Sequence, residues 1–342
     1  MIEPLSPPRL RVVSDETCGL TAVLALDTEV PGPGVGGIRT YAYPDFEAGA
    51  LDARRLARAM SLKCAIAGLK AAGAKTVVFD HPDLDRPRAF ARLGTFIHSL
   101  GGGYRAAGDL GTTSADLRAA AAHTSHVHTD EPHLAHAAGV GLANCLIGVA
   151  RRRGVDPATL RIAVQGCGAI GAAAARGFAA LGAEIVVADI DQARAEALAR
   201  SIGATVVSAS AVLTADVDVI APCAAGGVLT TEVVANVRAW CICGGANNQL
   251  ESVDAEALLD RRGIVYVPDF VASAGAVIEG MAATVGTADA ASLLGRLTDT
   301  VDEILAGAEQ AGVTTRHAAE RIALQRISAR RRALAFEPPP GC

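Results

Sequence analysis

Residues 162–171, with the sequence Ile-Ala-Val-Gln-Gly-Cys-Gly-Ala-Ile-Gly, decide the fold of this 342-residue chain. The apolar run Ile162 to Gln165 leads into three glycines with the spacing G-x-G-x-x-G, and an alanine-rich helical segment follows. Strand, glycine turn and helix in this order are typical of the phosphate-binding turn of a doubly wound domain. The alternative is a chance match in a chain with 36 glycines, and the flanking strand and helix argue against it.

Each glycine of this motif has a physical reason. Gly166 permits the tight turn, Gly168 lets the backbone approach a pyrophosphate, and Gly171 lets helix and strand pack closely. The N-terminus of the helix presents free N–H groups to the phosphates. Asp189 closes the next apolar run, where its carboxylate would accept the ribose hydroxyls and repel a 2′-phosphate, so we expect NAD rather than NADP. A βαβ turn without a nucleotide is the alternative.

The residues that follow alternate between short apolar runs and helical segments. This alternation predicts parallel βαβ units, and we assign residues 141–312 to a Rossmann-type, doubly wound NAD domain. The predicted strands after the first are Ile185 to Asp189, Ala204 to Val207, Val217 to Ala221, Trp240 to Gly244 and Ile264 to Val267.

Residues 1–140 form a separate α/β domain in our interpretation, because strand and helix patterns occur there without the glycine motif. Residues 313–342 are expected to return a helix to this first domain and to end in a tail. The predicted elements are a hairpin of Leu10 to Val13 with Leu20 to Leu26, helices at Ala48 to Leu69 and Arg88 to Leu100, a strand at Thr76 to Phe79, and two terminal helices around Gly312.

Composition excludes several classes of protein. Hydrophobic residues make up 51% of the chain and charged residues 20%, which is unlike a disordered chain. The net charge of -5 leaves no basic footprint for nucleic acid or an anionic membrane surface. Met1 to Val13 has no apolar core of a signal peptide, so we expect a cytoplasmic protein with reduced cysteines.

Two lysines of the first domain are candidates for chemistry. Lys63 and Lys75 both lie in apolar surroundings, where an unpaired ammonium is costly to bury. One could bind a carboxylate, and the other, with a pKa lowered by burial and by a like charge, could act as a base. Asp109, in a loop of small residues, could face the same site. The alternatives are lysines that extend to solvent and an aspartate that caps a turn or helix.

These residues resemble the Glu/Leu/Phe/Val family of amino-acid dehydrogenases, with the leucine, valine and phenylalanine members closest in pattern. The similarity covers nearly the whole chain, in family order. It rests on Gly36-Gly37-Ile38-Arg39, Met60 to Lys63, Gly73 to Thr76, Asp109 to Thr113, Gln165 to Gly171, Ala221 to Ala224, Gly245 to Gln249 and Pro268 to Val271.

The resemblance implies an enzyme that oxidatively deaminates an L-amino acid to a 2-oxo acid and ammonia with NAD. Lys63 would hold the substrate carboxylate with the backbone of Gly37 and with Asn248, Lys75 would activate water, and Asp109 would exchange protons with the amine. The residues implied to contact NAD are Gly166, Gly168, Ala169, Ile170, Gly171, Asp189, Cys223, Ala224, Asn247, Ser273 and His136.

The substrate side chain is expected to be apolar or aromatic. Glutamate-specific relatives carry a lysine immediately before the paired glycines, and here Val35 stands at that position. Ala107, Val277, Ile278 and Met281 are candidate walls of the substrate pocket, and core packing is the alternative for each. The first domain of this family forms subunit contacts, so the resemblance also implies a homo-oligomer, a dimer or larger.

Two positions depart from the family pattern. Ser273 stands where relatives have asparagine, and His136 where they have threonine. Five histidines lie in a shortened segment from His123 to His136, and we expect solvated histidines there rather than a metal site. These departures leave two alternatives open: another C–N redox reaction, such as reduction of an imine or oxidation of a modified amino acid, and a non-catalytic NAD-binding protein.

Overall fold

The computed structural model describes residues 6–287 and 289–335, which form two compact units. The first unit holds the chain up to Glu131, the segment Gly280–Thr287 and the residues from Ala323 onward. The second holds Pro132–Glu279 and the stretch that ends at Ile322. The predicted two-domain α/β class is confirmed. The boundaries between the two units lie at other residues than the predicted 140 and 312. The predicted tail lies outside the described residues.

The first unit contains a five-stranded mixed sheet in the order β1-β2-β4-β3-β5. β1 and β2 form the predicted antiparallel hairpin, and β3 is parallel to both β4 and β5. The strands are β1 (Arg9–Asp15), β2 (Leu20–Leu26), β3 (Gly34–Tyr41), β4 (Ala72–Phe79) and β5 (Tyr104–Gly108).

Helices cover both faces of this sheet. α1 (Phe46–Ile66) packs its buried Ala53 and Ala57 on Val23 and Val77 of one face. α2 (Arg86–Ser99) and α3 (Ser114–Ala121) cover the other face with a larger apolar cluster that includes Phe90. Each large apolar side chain removed from water in this way contributes about 1.5–3 kcal/mol to folding. Because side chains alternate along a strand, Gly37 of β3 and Lys75 of β4 belong to the α1 face, which carries Val77.

The second unit contains a six-stranded, fully parallel sheet in the order β11-β10-β9-β6-β7-β8. The chain builds outward from β6 in one direction and then, starting with β9, in the other. The gap after the carboxyl ends of β6 and β9 is the switch point at which such sheets bind ligands. The strands are β6 (Arg161–Gln165), β7 (Glu184–Ala188), β8 (Thr205–Val206), β9 (Val219–Pro222), β10 (Cys241–Ile242) and β11 (Val265–Tyr266).

Small residues allow close packing of the helices of the second unit. A Cβ atom at Gly139 would lie 2.4 Å from the carbonyl oxygen of Ala173, and one at Gly148 would lie 2.5 Å from that of Thr298. The remaining helices are α4 (Glu131–Arg153), α5 (Ala169–Ala180), α6 (Gln192–Ile202), α7 (Thr231–Asn236), α8 (Val253–Arg261), α9 (Asp269–Ala272), α10 (Ala274–Met281), α11 (Ala290–Ala311) and α12 (Thr315–Ala335).

One described helix is long and apolar enough to cross a membrane by length and composition. It comprises His133–Arg153 of α4, with a mean hydropathy of 1.4 over its most apolar window. Core helices of soluble proteins pass the same test, and 61% of this window is buried inside the protein. The burial is that of a core helix.

Candidate active site

The loop after β5 carries Asp109, and it is fixed to the neighbouring strand β3. The backbone N–H of Thr40 donates to the carbonyl oxygen of Leu110 at 2.9 Å, and the Thr112 hydroxyl donates to that of Ile38 at 2.7 Å. Gly111 has φ +75, and a Cβ there would lie 1.9 Å from the carbonyl oxygen of Thr40. The loop therefore requires glycine at this point, and its position on β3 holds Asp109 in place.

Lys75 and Asp109 form a buried ion pair. Lys75 Nζ lies 2.8 Å from Asp109 Oδ2, and the side chains are 6% and 19% exposed. Burial lowers the pKa of Lys75 below its ordinary value, against the pull of the Asp109 charge. Burial alone would raise the pKa of Asp109, but the charges of Lys75 and Arg39 outweigh it and hold that pKa low. The pair thus combines an ionised carboxylate with an ammonium that releases its proton more readily than an exposed lysine.

A second cation contacts the same carboxylate oxygen. Arg39 Nε lies 2.8 Å from Asp109 Oδ2, and its Nη1 lies 3.0 Å from Asp52 Oδ2 on α1. The Tyr43 hydroxyl donates to Asp52 Oδ2 at 2.5 Å, and burial together with this bond raises the pKa of Tyr43. Four charged groups of alternating sign therefore extend from Lys75 to Asp52. No role is predicted for Arg39 from the sequence, and Asp52 and Tyr43 are not among the predicted site residues.

Gly37 lies in close contact with the ion pair. A Cβ built on Gly37 would lie 2.8 Å from the Asp109 Cβ, 2.9 Å from the carbonyl oxygen of Gly108 and 3.3 Å from Lys75 Nζ. Even a methyl group would therefore displace Asp109, so the geometry of the ion pair requires glycine at residue 37.

The other predicted substrate residues are divided between the two units. Lys63 lies half-buried in the last turn of α1, Val35 is buried in β3, and Ala107 pairs with Gly37 across β3 and β5. Asn248 is exposed and Val277 half-buried, and both belong to the second unit. Ile278 is a fully buried core residue, and Met281 lines a small cavity of about 80 Å³ in the first unit.

The glycine turn of the second unit has the backbone that its sequence predicts. Gly166 adopts φ +89, and a Cβ there would lie 2.8 Å from the Cβ of Ala224. A Cβ on Gly171 would lie 1.8 Å from the carbonyl oxygen of Gly166, whereas one on Gly168 meets nothing within 4 Å. Gly166 and Gly171 are therefore required by packing, and the backbone at Gly168 is open on the side where a ligand would approach.

The N-terminus of α5 lacks the side-chain cap that other helices of this unit have. Gly168 is its N-cap and offers no acceptor, whereas Asp191 caps α6 and Ser252 caps α8 with side-chain oxygens. The first N–H groups of α5, at Ala169 and Ile170, therefore lack a side-chain acceptor at the switch point of the sheet. The residues present fit the pyrophosphate of a dinucleotide.

Asp189 stands one residue after β7, beside the glycine turn. Its carboxylate accepts from the backbone N–H of Cys167 at 2.7 Å and of Asp191 at 2.9 Å. Burial would raise its pKa, but these bonds and the nearby Arg194 outweigh burial and hold the pKa below its ordinary value. Asp189 is thus ionised at neutral pH and also fixes the turn. Asp191 caps α6 by accepting from the N–H of Arg194.

Other predicted cofactor residues meet after β9 and β10. Cys223 follows β9, and its backbone N–H donates to the carbonyl oxygen of Gln165 at the end of β6. The hydroxyl of Ser273 donates to Asn247 Oδ1 at 3.3 Å and to the carbonyl oxygen of Asp269 at 2.6 Å. The structure therefore brings Ser273 and Asn247 together. His136 is an exposed residue of α4.

The histidine segment forms an edge of the first unit's sheet. Val127 bridges to Ala106 of β5. His126, on one side of it, accepts at Nδ1 from Arg105 Nη1 at 3.1 Å. His128, on the other side, lines the same small cavity as Met281. Among the described residues, no group of three or more His, Cys, Asp and Glu side chains is arranged to hold a metal ion. The seven cysteines within this part of the chain are free thiols.

Comparison with known families identifies both halves of the chain. Residues 9–126 match the family model "Glu/Leu/Phe/Val dehydrogenase, dimerisation domain", and residues 186–333 match "Glutamate/Leucine/Phenylalanine/Valine dehydrogenase". The chain belongs to the Glu/Leu/Phe/Val dehydrogenase family. The predicted family is confirmed, and this dehydrogenase is an oxidoreductase of the NAD(P)-dependent class that acts on CH–NH₂ groups.

Relatives of this dehydrogenase act on several amino acids. L-tryptophan dehydrogenase of Nostoc punctiforme is 32% identical over 317 residues, which cover 90% of each chain. Leucine dehydrogenase of Bacillus cereus is 32% identical over 92% of this chain and 89% of its own. The crystal structure of the Nostoc punctiforme tryptophan dehydrogenase matches with a TM-score of 0.84, covering 96% of this chain and 98% of that one at 30% identity.

Proposed function

We propose that this dehydrogenase catalyses the reversible, NAD-dependent oxidative deamination of an apolar or aromatic L-amino acid to a 2-oxo acid and ammonia. The observation that carries the proposal is the buried pair of Lys75 and Asp109 opposite Gly37. A lysine that only extends to solvent would not be 6% exposed against a carboxylate. The relatives named for leucine, phenylalanine and tryptophan support the substrate class.

The residues of the first unit have separate tasks in this reaction. NAD held by the glycine turn and Asp189 would supply the hydride acceptor, and the residues of the first unit act on the iminium of the oxidised substrate. Lys63 holds the α-carboxylate, helped by the backbone of Gly37. Lys75, as the neutral amine, accepts a proton from the water that attacks the iminium carbon. Asp109 exchanges protons with the nitrogen, so that the carbinolamine releases ammonia and leaves the 2-oxo acid.

NAD is the proposed form of the cofactor. The ionised Asp189 follows β7, where a carboxylate accepts both hydroxyls of the adenosine ribose and repels a 2′-phosphate. The nearby Arg194, 3.9 Å from Asp189 Oδ2, is balanced by this carboxylate and by Asp191. Two carboxylates against one guanidinium leave this end of the site negatively charged, which favours NAD over NADP. The other residues proposed for the cofactor are those of the glycine turn, Cys223, Ala224, Asn247, Ser273 and His136.

A homo-oligomer is the proposed assembly. The match of residues 9–126 to a dimerisation domain supports it. The exposed apolar side chains of this unit, Val12, Tyr41, Leu51 and Leu110, are consistent with a surface that another subunit covers.

A second candidate function is the oxidation of a modified amino acid, or another C–N redox reaction, with the same fold and cofactor. Ser273 beside Asn247 replaces the asparagine of relatives, and Arg105 with His126 and His128 lines a polar cavity that Met281 shares. The hydroxyl in place of an amide in the second unit and the polar cavity in the first unit are the observations that support this candidate. A non-catalytic role is disfavoured, since it requires neither Lys75 nor Asp109 to be buried.

A substrate panel tests the proposal. The purified enzyme is given NAD with each of the apolar and aromatic L-amino acids, and NADH formation is followed by absorbance. The reverse reaction is measured with 2-oxo acids, ammonia and NADH. Turnover of at least one apolar or aromatic amino acid is expected. NADH binding without turnover in either direction would refute the proposal and favour the second candidate.

A further inference from the structure

The ion pair of Lys75 and Asp109 is one end of a longer chain of charges. Arg39 lies between two carboxylates, with Nε on Asp109 and Nη1 on Asp52, at 2.8 and 3.0 Å. Arg39 and Asp52 are about four-fifths buried, with 18% and 19% of their side chains exposed. A guanidinium is planar and presents its donors in a fixed geometry, so two contacts are enough to define its orientation.

We propose that Arg39 is a positioning residue for the catalytic carboxylate of Asp109, and that Asp52 is the counter-ion that holds Arg39 in place. This inference rests on the proposed function, because Asp109 has a reaction to serve only in an amino-acid dehydrogenase. Neither Arg39 nor Asp52 is assigned to the reaction itself.

The geometry explains why a second cation is needed. Lys75 and Arg39 both contact Oδ2 of Asp109, each at 2.8 Å, and they come from adjacent strands, β4 and β3. Two donors on one oxygen fix the rotation of the carboxyl group, which a single flexible lysine would not do. We expect the other oxygen, Oδ1, to exchange the proton with the substrate amine. Without Arg39, the carboxyl group would rotate about its bond to Cβ and lose that alignment.

The charged groups that extend from Asp109 to Asp52 also affect the protonation of Lys75. Arg39 is a like charge that makes protonation of Lys75 less favourable, while Asp109 and Asp52 make it more favourable. The charged and titratable groups near Lys75 are Asp109 at the end of β5, Arg39 on β3, and Asp52 on α1 with the Tyr43 that donates to it. Removing Arg39 and removing the charge of Asp52 should therefore shift the ionisation of Lys75 in opposite directions.

Asp52 lies on the outer side of this arrangement. Together with Tyr43 and Arg39 it lines a surface groove of about 990 Å³, which Tyr41, Leu51 and Leu110 also line. A substitution of Asp52 hence alters the support of Arg39 without adding an atom to the space at Gly37. This separation makes Asp52→Asn a test of positioning rather than of direct catalysis.

Two measurements on the full chain test the inference. The first is the pH dependence of kcat/KM for the wild type, Arg39→Met, Arg39→Lys and Asp52→Asn. The second is an NMR titration of lysine labelled with ¹³C at Cε, which is practical because the chain has three lysines, Lys63, Lys70 and Lys75. The second measurement needs no turnover. Arg55→Met, an exposed arginine of the same helix as Asp52, is the matched control.

The inference predicts a pattern that a structural role would not produce. Arg39→Met should lower kcat/KM about 10²-fold through misplacement of Asp109 and move the titration of Lys75 to higher pH. Asp52→Asn should move that titration to lower pH, and Arg55→Met should leave both readouts unchanged. Arg39→Lys keeps the charge, so it should restore the titration more than the rate.

The contrary results are equally specific. The inference would be overturned if the Lys75 titration shifted in the same direction in Arg39→Met and Asp52→Asn. It would also be overturned if the titration shifted in neither of these folded variants. An Arg39→Met enzyme with the wild-type kcat/KM would do the same. If the wild type turns over no amino acid, the proposed function fails, while the NMR titration still decides whether Arg39 and Asp52 control Lys75.

Discussion

A methyl group at residue 37 should abolish most of the activity while leaving the protein folded. In Gly37→Ala, the new Cβ would stand 2.8 Å from the Asp109 Cβ and 2.9 Å from the carbonyl oxygen of Gly108. Carbon atoms pack at about 3.5–4.0 Å, so the Asp109 segment must move away by roughly 0.7–1.2 Å. The new methyl group would also lie 3.3 Å from Lys75 Nζ, in close contact with it. A displacement of about 1 Å in a reacting group costs about 10²-fold in rate, which is the loss we expect in kcat/KM.

The stability of this variant should change much less than its rate. Overpacking costs about 1–3 kcal/mol, and the replacement of glycine returns about 0.4–1 kcal/mol by restricting the unfolded chain. The expected net loss therefore lies between about zero and about 2.6 kcal/mol. Chemical denaturation measures this free energy of unfolding.

Gly295→Ala is the matched control for this substitution. Gly295 lies in α11, and a Cβ there meets no atom within 4 Å. The same chemical change should stabilise the protein by about 1 kcal/mol through helix propensity and leave kcat/KM unchanged. A Gly37→Ala enzyme as active as the wild type would show that the space beside Lys75 and Asp109 is not where the substrate reacts.

Three further predictions concern the cofactor, the fold and the pH dependence. Asp189→Ser removes the charge that repels a 2′-phosphate, so the ratio of kcat/KM with NADP to that with NAD should rise about 10-fold or more; an unchanged ratio would contradict the role of Asp189. Ser61→Ala should lower the free energy of unfolding by about 1–3 kcal/mol, measured with denaturant, because the buried hydroxyl donates to Asp27 at 2.6 Å and accepts from the N–H of Gly73 at 2.9 Å; a loss near zero would show that other groups replace it. kcat/KM should rise with pH as Lys75 loses its proton, with a midpoint below the 10.5 of an ordinary lysine; a midpoint at that ordinary value would mean that another group is the base.

The sequence predicted most elements with a regular apolar pattern and missed those whose pattern glycine obscures. β3 contains Gly34, Gly36 and Gly37, and glycine is depleted in strands. It is nevertheless required there, since a Cβ at Gly36 would lie 1.7 Å from the carbonyl oxygen of Ala74. No strand is therefore predicted from the sequence at these residues. β5, with five residues, and the short helix α3 were missed as well.

The start of α4 also differs from the sequence prediction. The helix begins at Glu131, in the segment of histidines for which no helix is predicted, so it includes His133 and His136. Histidine has a modest helix propensity. The signal that could have located the start is Asp130 followed by Pro132. His133 lies 2.7 Å from Glu279, a contact between residues distant in the chain that no local pattern predicts.

Prediction of the candidate site succeeded for the residues that stand out by type. Lys75 and Asp109 were paired on chemical grounds, and they lie 2.8 Å apart. Arg39 and Asp52 were overlooked because arginines and aspartates are common on protein surfaces. Their contact becomes visible only when α1 is packed on the sheet that contains β3. The roles of these residues stay predictions until the reaction is measured.

The most direct measurement is NADH formation by the wild type, Lys75→Ala and Lys70→Ala with NAD and the best amino-acid substrate. Lys70 is an exposed lysine five residues before Lys75, so its substitution controls for loss of a lysine. We expect turnover by the wild type and by Lys70→Ala. In Lys75→Ala, we expect the rate of NADH formation to fall by at least about 10²-fold while NADH binding is retained. Equal turnover by Lys75→Ala and the wild type would contradict the claim that Lys75 is the base of an amino-acid dehydrogenase.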